Sequence, residues 1–91
     1  MIDKSTVPVL NPMFRFQWEQ AQNCYVLLFP EGMVKLNGSA GEIIKLIDGE
    51  RNVNTMTEIL MAKFPDAGDL TQDIHDLLLS AIDKKWIFDE K

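Results

Sequence analysis

The sequence predicts an α+β protein with a winged helix-turn-helix-like architecture, in which a three-stranded antiparallel sheet is followed by three helices. Up to residue 36, apolar residues alternate with polar ones or form runs of strand length. From residue 39 onwards they recur every three or four residues, as on one face of a helix. Short turns rich in Pro and Gly separate these segments. The 91 residues suffice for one domain with a modest core.

The first residues differ from the rest of the chain because they carry two prolines and little periodicity. We therefore predict an extended N-terminal arm over residues 1–12 and a folded domain over 13–91. Within the domain, the alternation over 14–18 and the apolar run Cys24–Phe29 predict the first two strands. Residues 33–36 form the third predicted strand. The connecting turns are short, so we expect an antiparallel meander.

The first predicted helix spans residues 39–48. Ser39 and Glu42 have the spacing of a capping box, and Gly49 stands where a C-terminal cap is expected. Between them lies an apolar cluster suited to a core-facing helix, formed by Ile43, Ile44, Leu46 and Ile47.

Two further helices are predicted after residue 50. Asn52 or Thr55 begins the first of them, and Pro65 ends it. Asp69 and Gln72 offer a capping box for the last helix. Both helices carry an apolar stripe at helical spacing, made of Val53, Met56, Leu60 and Phe64 in one and of Leu70, Ile74, Leu77, Leu78, Ala81 and Ile82 in the other. We expect residues 86–88 to form a short strand or a plug.

Composition excludes several function classes. The net charge of −5 opposes nonspecific binding to nucleic acid, which depends on Lys and Arg contacts with phosphates. No apolar run is long enough to span a bilayer, and no signal peptide is evident, so we expect a cytoplasmic protein without a membrane partner. One Cys and one His are too few for a structural zinc site.

Catalytic chemistry has little support in the sequence. We expect Cys24 to be a small core residue and His75 a surface residue. Asp69, Asp73 and Asp76 are interpreted as a solvated helix face rather than paired catalytic carboxylates. The sequence has no glycine-rich nucleotide-binding motif. We therefore predict a protein that is not an enzyme and has no cofactor or metal.

The third predicted strand is the most informative feature, because it lies at the edge of the meander. Such an edge presents unpaired N–H and C=O groups, which a peptide can bind by adding a strand. Two occupants remain open at this point: a bound peptide, or residues 1–12 or 86–88 of the chain itself. The alternative is a winged-helix DNA-binding domain or another protein-interaction domain without catalysis. For DNA binding, Lys63 and Arg51 offer few cations for a recognition helix.

A family resemblance adds to this pattern. The sequence resembles the PqqD family of pyrroloquinoline quinone (PQQ) biosynthesis across residues 14–88. The segments that carry the resemblance are Pro30-Glu31-Gly32, Leu36-Asn37, Ser39-Ala40-Gly41-Glu42-Ile43, Asp48-Gly49, Val53, Met56, Leu60, Phe64-Pro65 and Trp86. Lys85 departs from the pattern, since the family more usually has glycine before this tryptophan.

The resemblance implies a recognition element for ribosomally made, modified peptides. Such a protein binds the precursor peptide PqqA and presents it to the radical SAM enzyme PqqE, which cross-links a glutamate and a tyrosine of the peptide. The peptide adds to the third strand and lies against the third helix. The residues implied to bind it are Met33, Val34, Lys35 and Leu36 of the strand and Asp73, Ile74 and Leu77 of the helix. An open edge also permits a homodimer.

Overall fold

A computed structural model describes residues 2–90, with only the backbone of Glu90. Met1, the first residue of the predicted arm, and Lys91, the last of the predicted domain, lie outside the described residues. The strands are β1 (Val7–Leu10), β2 (Arg15–Glu19), β3 (Cys24–Phe29), β4 (Gly32–Lys35) and β5 (Ile87–Glu90). The helices are α1 (Gly38–Lys45), α2 (Val53–Lys63) and α3 (Thr71–Asp83), with a 3-10 turn at Pro65–Ala67.

The three-stranded meander and the three helices confirm the predicted fold class. β2, β3 and β4 form one antiparallel sheet in that order, with β3 in the centre. Phe16 and Val34 lie on either side of Leu27 in this sheet, and all three contribute to the hydrophobic core. The three helices follow the sheet in sequence, as the change of apolar period predicts.

A second, two-stranded sheet joins the ends of the chain and was not predicted. β1 lies in the predicted arm and pairs with β5, so that Val9 lies opposite Phe88. The predicted strand at 86–88 is thus confirmed from Ile87 onwards, while the boundary between residues 12 and 13 stays a prediction. Asn11 extends this ladder, because its N–H donates to the carbonyl of Trp86 at 2.8 Å and its Nδ2 to that of Lys85 at 2.7 Å.

The core lies between the meander and the helices. Leu27, Met56 and Leu78 have no exposed surface, and they place β3, α2 and α3 in one apolar cluster. Helix α1 approaches β3 closely at Gly41, where an added Cβ would lie 2.9 Å from Cδ2 of Tyr25. Among the described residues, no helix combines the length and apolar character that a membrane span requires.

The ends of α1 differ from the prediction. Asn37, not Ser39, caps the helix, because its side chain accepts a hydrogen bond from the Ala40 N–H at 2.8 Å. The helix ends at Lys45, three residues before the predicted end. Gly49, at φ +80°, lies in the following turn, where the Asp48 carboxylate accepts from the Glu50 and Arg51 N–H groups.

The later helices match their predicted positions more closely. Asn52 caps α2, as predicted, by accepting from the Thr55 N–H at 2.8 Å. The predicted box before α3 does not form, since Gln72 donates to Asp76 while Asp69 accepts from the Thr71 N–H. After α3 the chain turns at Lys85, whose φ of +68° lies in the left-handed region. A left-handed residue favours glycine there, which agrees with the glycine expected from the family resemblance.

Candidate functional site

The free edge of β4 is formed by the main chain of Met33 and Lys35. The Leu36 N–H donates to the carbonyl of Tyr25 at 3.0 Å, so this residue's main chain points towards β3. Hydrogen-bonded and non-hydrogen-bonded pairs alternate along an antiparallel ladder. Val34 therefore also bonds to β3, whereas the N–H and C=O groups of Met33 and Lys35 point away from the sheet. Neither β1 nor β5 pairs with this edge.

The side chains of this segment alternate as well. Leu36 is buried, and Val34 is half-buried against the core. Met33 and Lys35 lie on the opposite face and are exposed, Met33 to 40%. The four strand residues implied by the resemblance therefore divide into two that support the sheet through their side chains and two that offer the main-chain edge.

The three implied helix residues also have different environments. Ile74 is 1% exposed and belongs to the core, and Leu77 is half-buried against the same cluster. Asp73, the third residue of α3, is exposed and lines a groove. Of these three, Asp73 presents the most accessible side chain, while Ile74 positions the helix through packing. Their roles in peptide binding stay a prediction.

The groove has a volume of about 520 Å³ and lies where α1, α2 and the start of α3 meet. Its lining comprises Gly38, Ser39, Glu42, Ile43, Leu60, Phe64, Ala67, Leu70 and Asp73. Gly38 and Ser39 begin α1, just beyond the end of β4. The open strand edge thus leads towards a concave, mainly apolar surface, which is typical of binding sites.

Two acidic residues, Glu42 and Asp73, line this groove, and Asp69 directly precedes the lining residue Leu70. Glu42 accepts a hydrogen bond from Lys63 Nζ at 2.7 Å, and this ion pair joins α1 to α2. Asp69, just before α3, accepts hydrogen bonds from the Thr71 side chain and N–H, which lower the pKa of its carboxyl below its usual value. It therefore stays ionised at neutral pH, near the N-terminal end of α3 that favours negative charge.

The outer edges of β2 and β1 are alternative positions for an added strand. By the same alternation, Phe16 and Trp18 direct their main-chain groups to the outer edge of β2. In β1, the residues at the corresponding outward positions are Pro8, which has no N–H and is fully buried, and Leu10, which is half-buried. The outer edge of β1 thus lacks a donor at Pro8, and β2 remains the one competitor of β4 within the three-stranded sheet.

Cys24 and His75, the two residues considered for chemical reactivity, lie in different elements, β3 and α3. Cys24 is half-buried at the start of β3, so the prediction of a core residue was only partly right. His75 is 37% exposed in its side chain and lies 4.0 Å from Asp76, in agreement with a surface position. Within residues 2–90, no group of three or more His, Cys, Asp or Glu side chains has a geometry suited to a metal ion.

Comparison with known proteins decides the family. The family described as coenzyme PQQ synthesis protein D (PqqD) matches residues 24–87. The chain belongs to the PqqD family. A PqqA binding protein of Acinetobacter baylyi is 52% identical over 82 residues, which cover 90% of this chain and 83% of the relative. A PqqA binding protein of Pseudomonas paraeruginosa is also 52% identical, over 90% of this chain and 89% of its own.

A solved structure extends the PqqD similarity to the fold. It is the solution NMR structure of the PqqD truncation of Methylobacterium extorquens PqqCD, described as a functional, stand-alone recognition element for ribosomally synthesised and post-translationally modified peptides. The TM-score is 0.79 at 28% identity, over 97% of this chain and 95% of the other. The fold is therefore similar to that of a PqqD domain over nearly the whole chain.

Sequence reasoning missed most of the groove. Glu42, Phe64 and Leu70 were assigned to helix caps or apolar stripes, and their shared location depends on how three helices meet. The sequence contained one signal, because Phe64 directly precedes the helix-ending Pro65. In the structure the Phe64 side chain is 38% exposed. A large apolar residue at a helix end has fewer neighbours than one in mid-helix and is more readily left at a surface.

Proposed function

We propose that this chain is a peptide chaperone of PQQ biosynthesis, which binds the precursor peptide PqqA by strand addition to β4 and presents it to the radical SAM enzyme PqqE. The observation that carries the proposal is the free main-chain edge at Met33 and Lys35, adjacent to an apolar groove. Support comes from the relatives of about 50% identity that are named PqqA binding proteins.

Strand addition suits a delivery function. Main-chain hydrogen bonds hold a peptide in register without demanding a particular sequence, while neighbouring side chains provide specificity. A flexible peptide loses conformational entropy when it becomes ordered, so a short edge such as β4 should give moderate affinity. Moderate affinity permits release of the peptide to the enzyme that modifies it.

The proposal assigns no chemical step to this chain. PqqE would cross-link the peptide, and this protein would position it, in the cytoplasm where the peptide is made. Asp73, which lines the groove, favours basic residues in the bound segment and disfavours acidic ones.

The DNA-binding alternative is less well supported by the structure. Lys63 is engaged in its ion pair with Glu42. The guanidinium of Arg51 donates to the carbonyl of Leu46 at 3.0 Å and lies 3.5 Å from Asp48. Both cations named for a recognition helix thus bind acidic or carbonyl groups of the protein itself, which leaves them less available to phosphates.

Calorimetric titration with synthetic PqqA tests the proposal, first alone and then with PqqE present. We expect micromolar or tighter binding that strengthens when PqqE is added, whereas a scrambled peptide of the same composition should give no saturable heat. Sedimentation analysis of the free protein is needed beforehand, because the open β4 edge also admits a second copy of the chain. Absence of binding to PqqA by a monomeric, folded sample would overturn the proposed function.

A further inference from the structure

A second concave surface lies at the corner of the meander where β2 begins and β3 ends. It has a volume of about 280 Å³. We call it the Met13 surface, and its lining comprises Pro12, Met13, Phe14, Arg15, Leu28, Phe29 and Pro30. Because β3 separates β2 from β4, the residues that lead into β2 lie on the side of the sheet opposite the β4 edge.

The centre of this surface is apolar and exposed. The Met13 side chain is 63% exposed, more than Trp18 at 48% or Phe88 at 45%. Beside it, the Phe14 and Phe29 rings form a pair whose centroids lie 5.2 Å apart. Single exposed apolar residues are ordinary, but an exposed methionine next to an aromatic pair and a concavity is typical of an interaction surface.

The turn that carries Met13 is held by hydrogen bonds of Asn11. Its side-chain oxygen accepts from the Met13 N–H and its carbonyl from the Phe14 N–H, both at 2.9 Å. Its own N–H and Nδ2 donate to the carbonyls of Trp86 and Lys85. Met13 is therefore presented on an ordered turn, which reduces the entropy that a binding partner must offset.

The charge of the Met13 surface defines its partner. Of the described residues that line it, Arg15 alone is charged. Within residues 2–90, the exposed Arg15 side chain makes no ion pair or hydrogen bond. A guanidinium binds a carboxylate through two parallel hydrogen bonds. The surface thus suits an apolar side chain that has an Asp or Glu next to it.

We propose that the Met13 surface is the docking site for PqqE, through an enzyme segment that places one apolar side chain on Met13 and an adjacent carboxylate on Arg15. The inference rests on the proposed function, because it supplies the contact with the enzyme that presentation of a peptide requires. With PqqA at β4 and PqqE at the opposite side of the meander, both partners can be bound at the same time.

Substitutions on this surface test the docking site in titrations with PqqE. Met13→Ser should weaken PqqE binding about tenfold, while Leu79→Ser is the matched control, since Leu79 is 42% exposed and lies on α3. Arg15→Gln should weaken PqqE binding about fivefold at low salt and less at high salt. Lys4→Gln also removes one exposed positive charge, but outside the surface, and should bind PqqE like the wild type. PqqA affinity measured without PqqE should stay within about twofold in all four variants.

Methionine methyl NMR of the wild type provides a measurement that does not depend on a variant. Met13 and Met33 report on the two proposed interfaces, and Met56, which has no exposed surface, is the internal reference. We expect PqqE to shift or broaden the Met13 methyl signal, and PqqA alone to affect Met33 but not Met13.

The outcomes separate the docking site from the proposed function. If PqqE binds Met13→Ser and Arg15→Gln as tightly as the wild type, the enzyme docks elsewhere, and the inference is refuted while peptide delivery stands. The inference also fails if PqqA alone perturbs the Met13 methyl, or if the free protein is a dimer that Met13→Ser dissociates, because another occupant then covers the surface. If the wild type binds neither PqqA nor PqqE, the proposed function itself fails.

Discussion

The outer edges of β1 and β4 occupy equivalent positions in their ladders but differ in chemistry. In β1, the outward positions are taken by Pro8, which has no N–H and is fully buried, and by Leu10, which is half-buried against the core. In β4, the outward positions are taken by Met33 and Lys35, which keep their N–H groups and are exposed. An edge that lacks a donor at one position and is partly covered resists the addition of another strand, and an exposed edge with donors permits it. The comparison indicates that the outer edge of β1 is less suited to strand addition than the outer edge of β4.

The largest expected effect is that of proline in the open edge. Lys35→Pro removes an N–H group that makes no bond to β3, so we expect PqqA affinity to fall about 100-fold, or about 2.7 kcal/mol, with the sheet preserved. Calorimetry measures the affinity, and thermal unfolding checks the fold. Lys35→Gln keeps the N–H and most of the side-chain stem, and should bind within about threefold of the wild type. Equal losses in both variants would assign the effect to the side chain instead.

A proline substitution in the β1–β5 ladder should lower the stability of the fold rather than the affinity for PqqA. The Asn11 N–H bonds to Trp86, so Val9, two residues earlier, bonds in turn to Phe88. Val9→Pro removes this donor and should lower the free energy of unfolding by about 2 kcal/mol. Chemical denaturation measures the loss. PqqA affinity of the folded variant should stay within about twofold, and a large loss of affinity would show that the two regions are coupled.

The link between β4 and the groove depends on the cap of α1. Asn37→Ala removes the side chain that accepts from the Ala40 N–H, and should cost about 1 kcal/mol of stability. Ser39→Ala is the control, because Ser39 does not provide this cap, and should change stability by less than about 0.5 kcal/mol. Chemical denaturation curves of the two variants measure their free energies of unfolding and show which side chain caps α1. A larger loss for Ser39→Ala would restore the capping box predicted from the sequence.

The smallest expected effect lies at the turn that leads into β5. Lys85 has a φ of +68°, a region in which a side chain is unfavourable. Lys85→Gly relieves this cost but increases the freedom of the unfolded chain, so we expect a net stabilisation of about 0.5 kcal/mol. Lys84→Gly, at a φ of −85°, should be destabilising by a similar amount. Thermal unfolding distinguishes the two, and a stabilising Lys84→Gly would contradict the explanation.

Local signals in the sequence predicted most of the fold. The apolar run of β3, the Asn52 cap and the stop at Pro65 depend on neighbouring residues, and each is found in the structure. The cap of α1 was misassigned because Ser39 and Asn37 both satisfy the local rule, and the observed entry of the chain from β4 selects Asn37. The β1–β5 ladder joins residues about 80 positions apart, which no local pattern reveals.

In the candidate site, too, features set by neighbouring residues could be predicted, and features set by contacts between distant residues could not. An open edge along residues 33–36 could be predicted from short turns and strand length alone, because a three-stranded meander must have two outer strands. That Met33 and Lys35 carry its outward groups follows from the register with β3. The groove could not, because Glu42, Phe64 and Asp73 come together only through the packing of three helices. Burial also separates Ile74 from Asp73, although they are adjacent in sequence, and only the orientation of α3 determines which of them reaches the surface.

Amide hydrogen exchange along β4, measured by NMR with and without PqqA, tests the central claim most directly. In the free protein we expect slow exchange at Val34, whose N–H bonds to β3, and fast exchange at Met33 and Lys35. Addition of PqqA should slow exchange at Met33 and Lys35 specifically. If these two amides stay unprotected in the saturated complex, or if protection appears at Phe16 and Trp18 of β2 instead, the peptide does not add to β4 and the account is wrong.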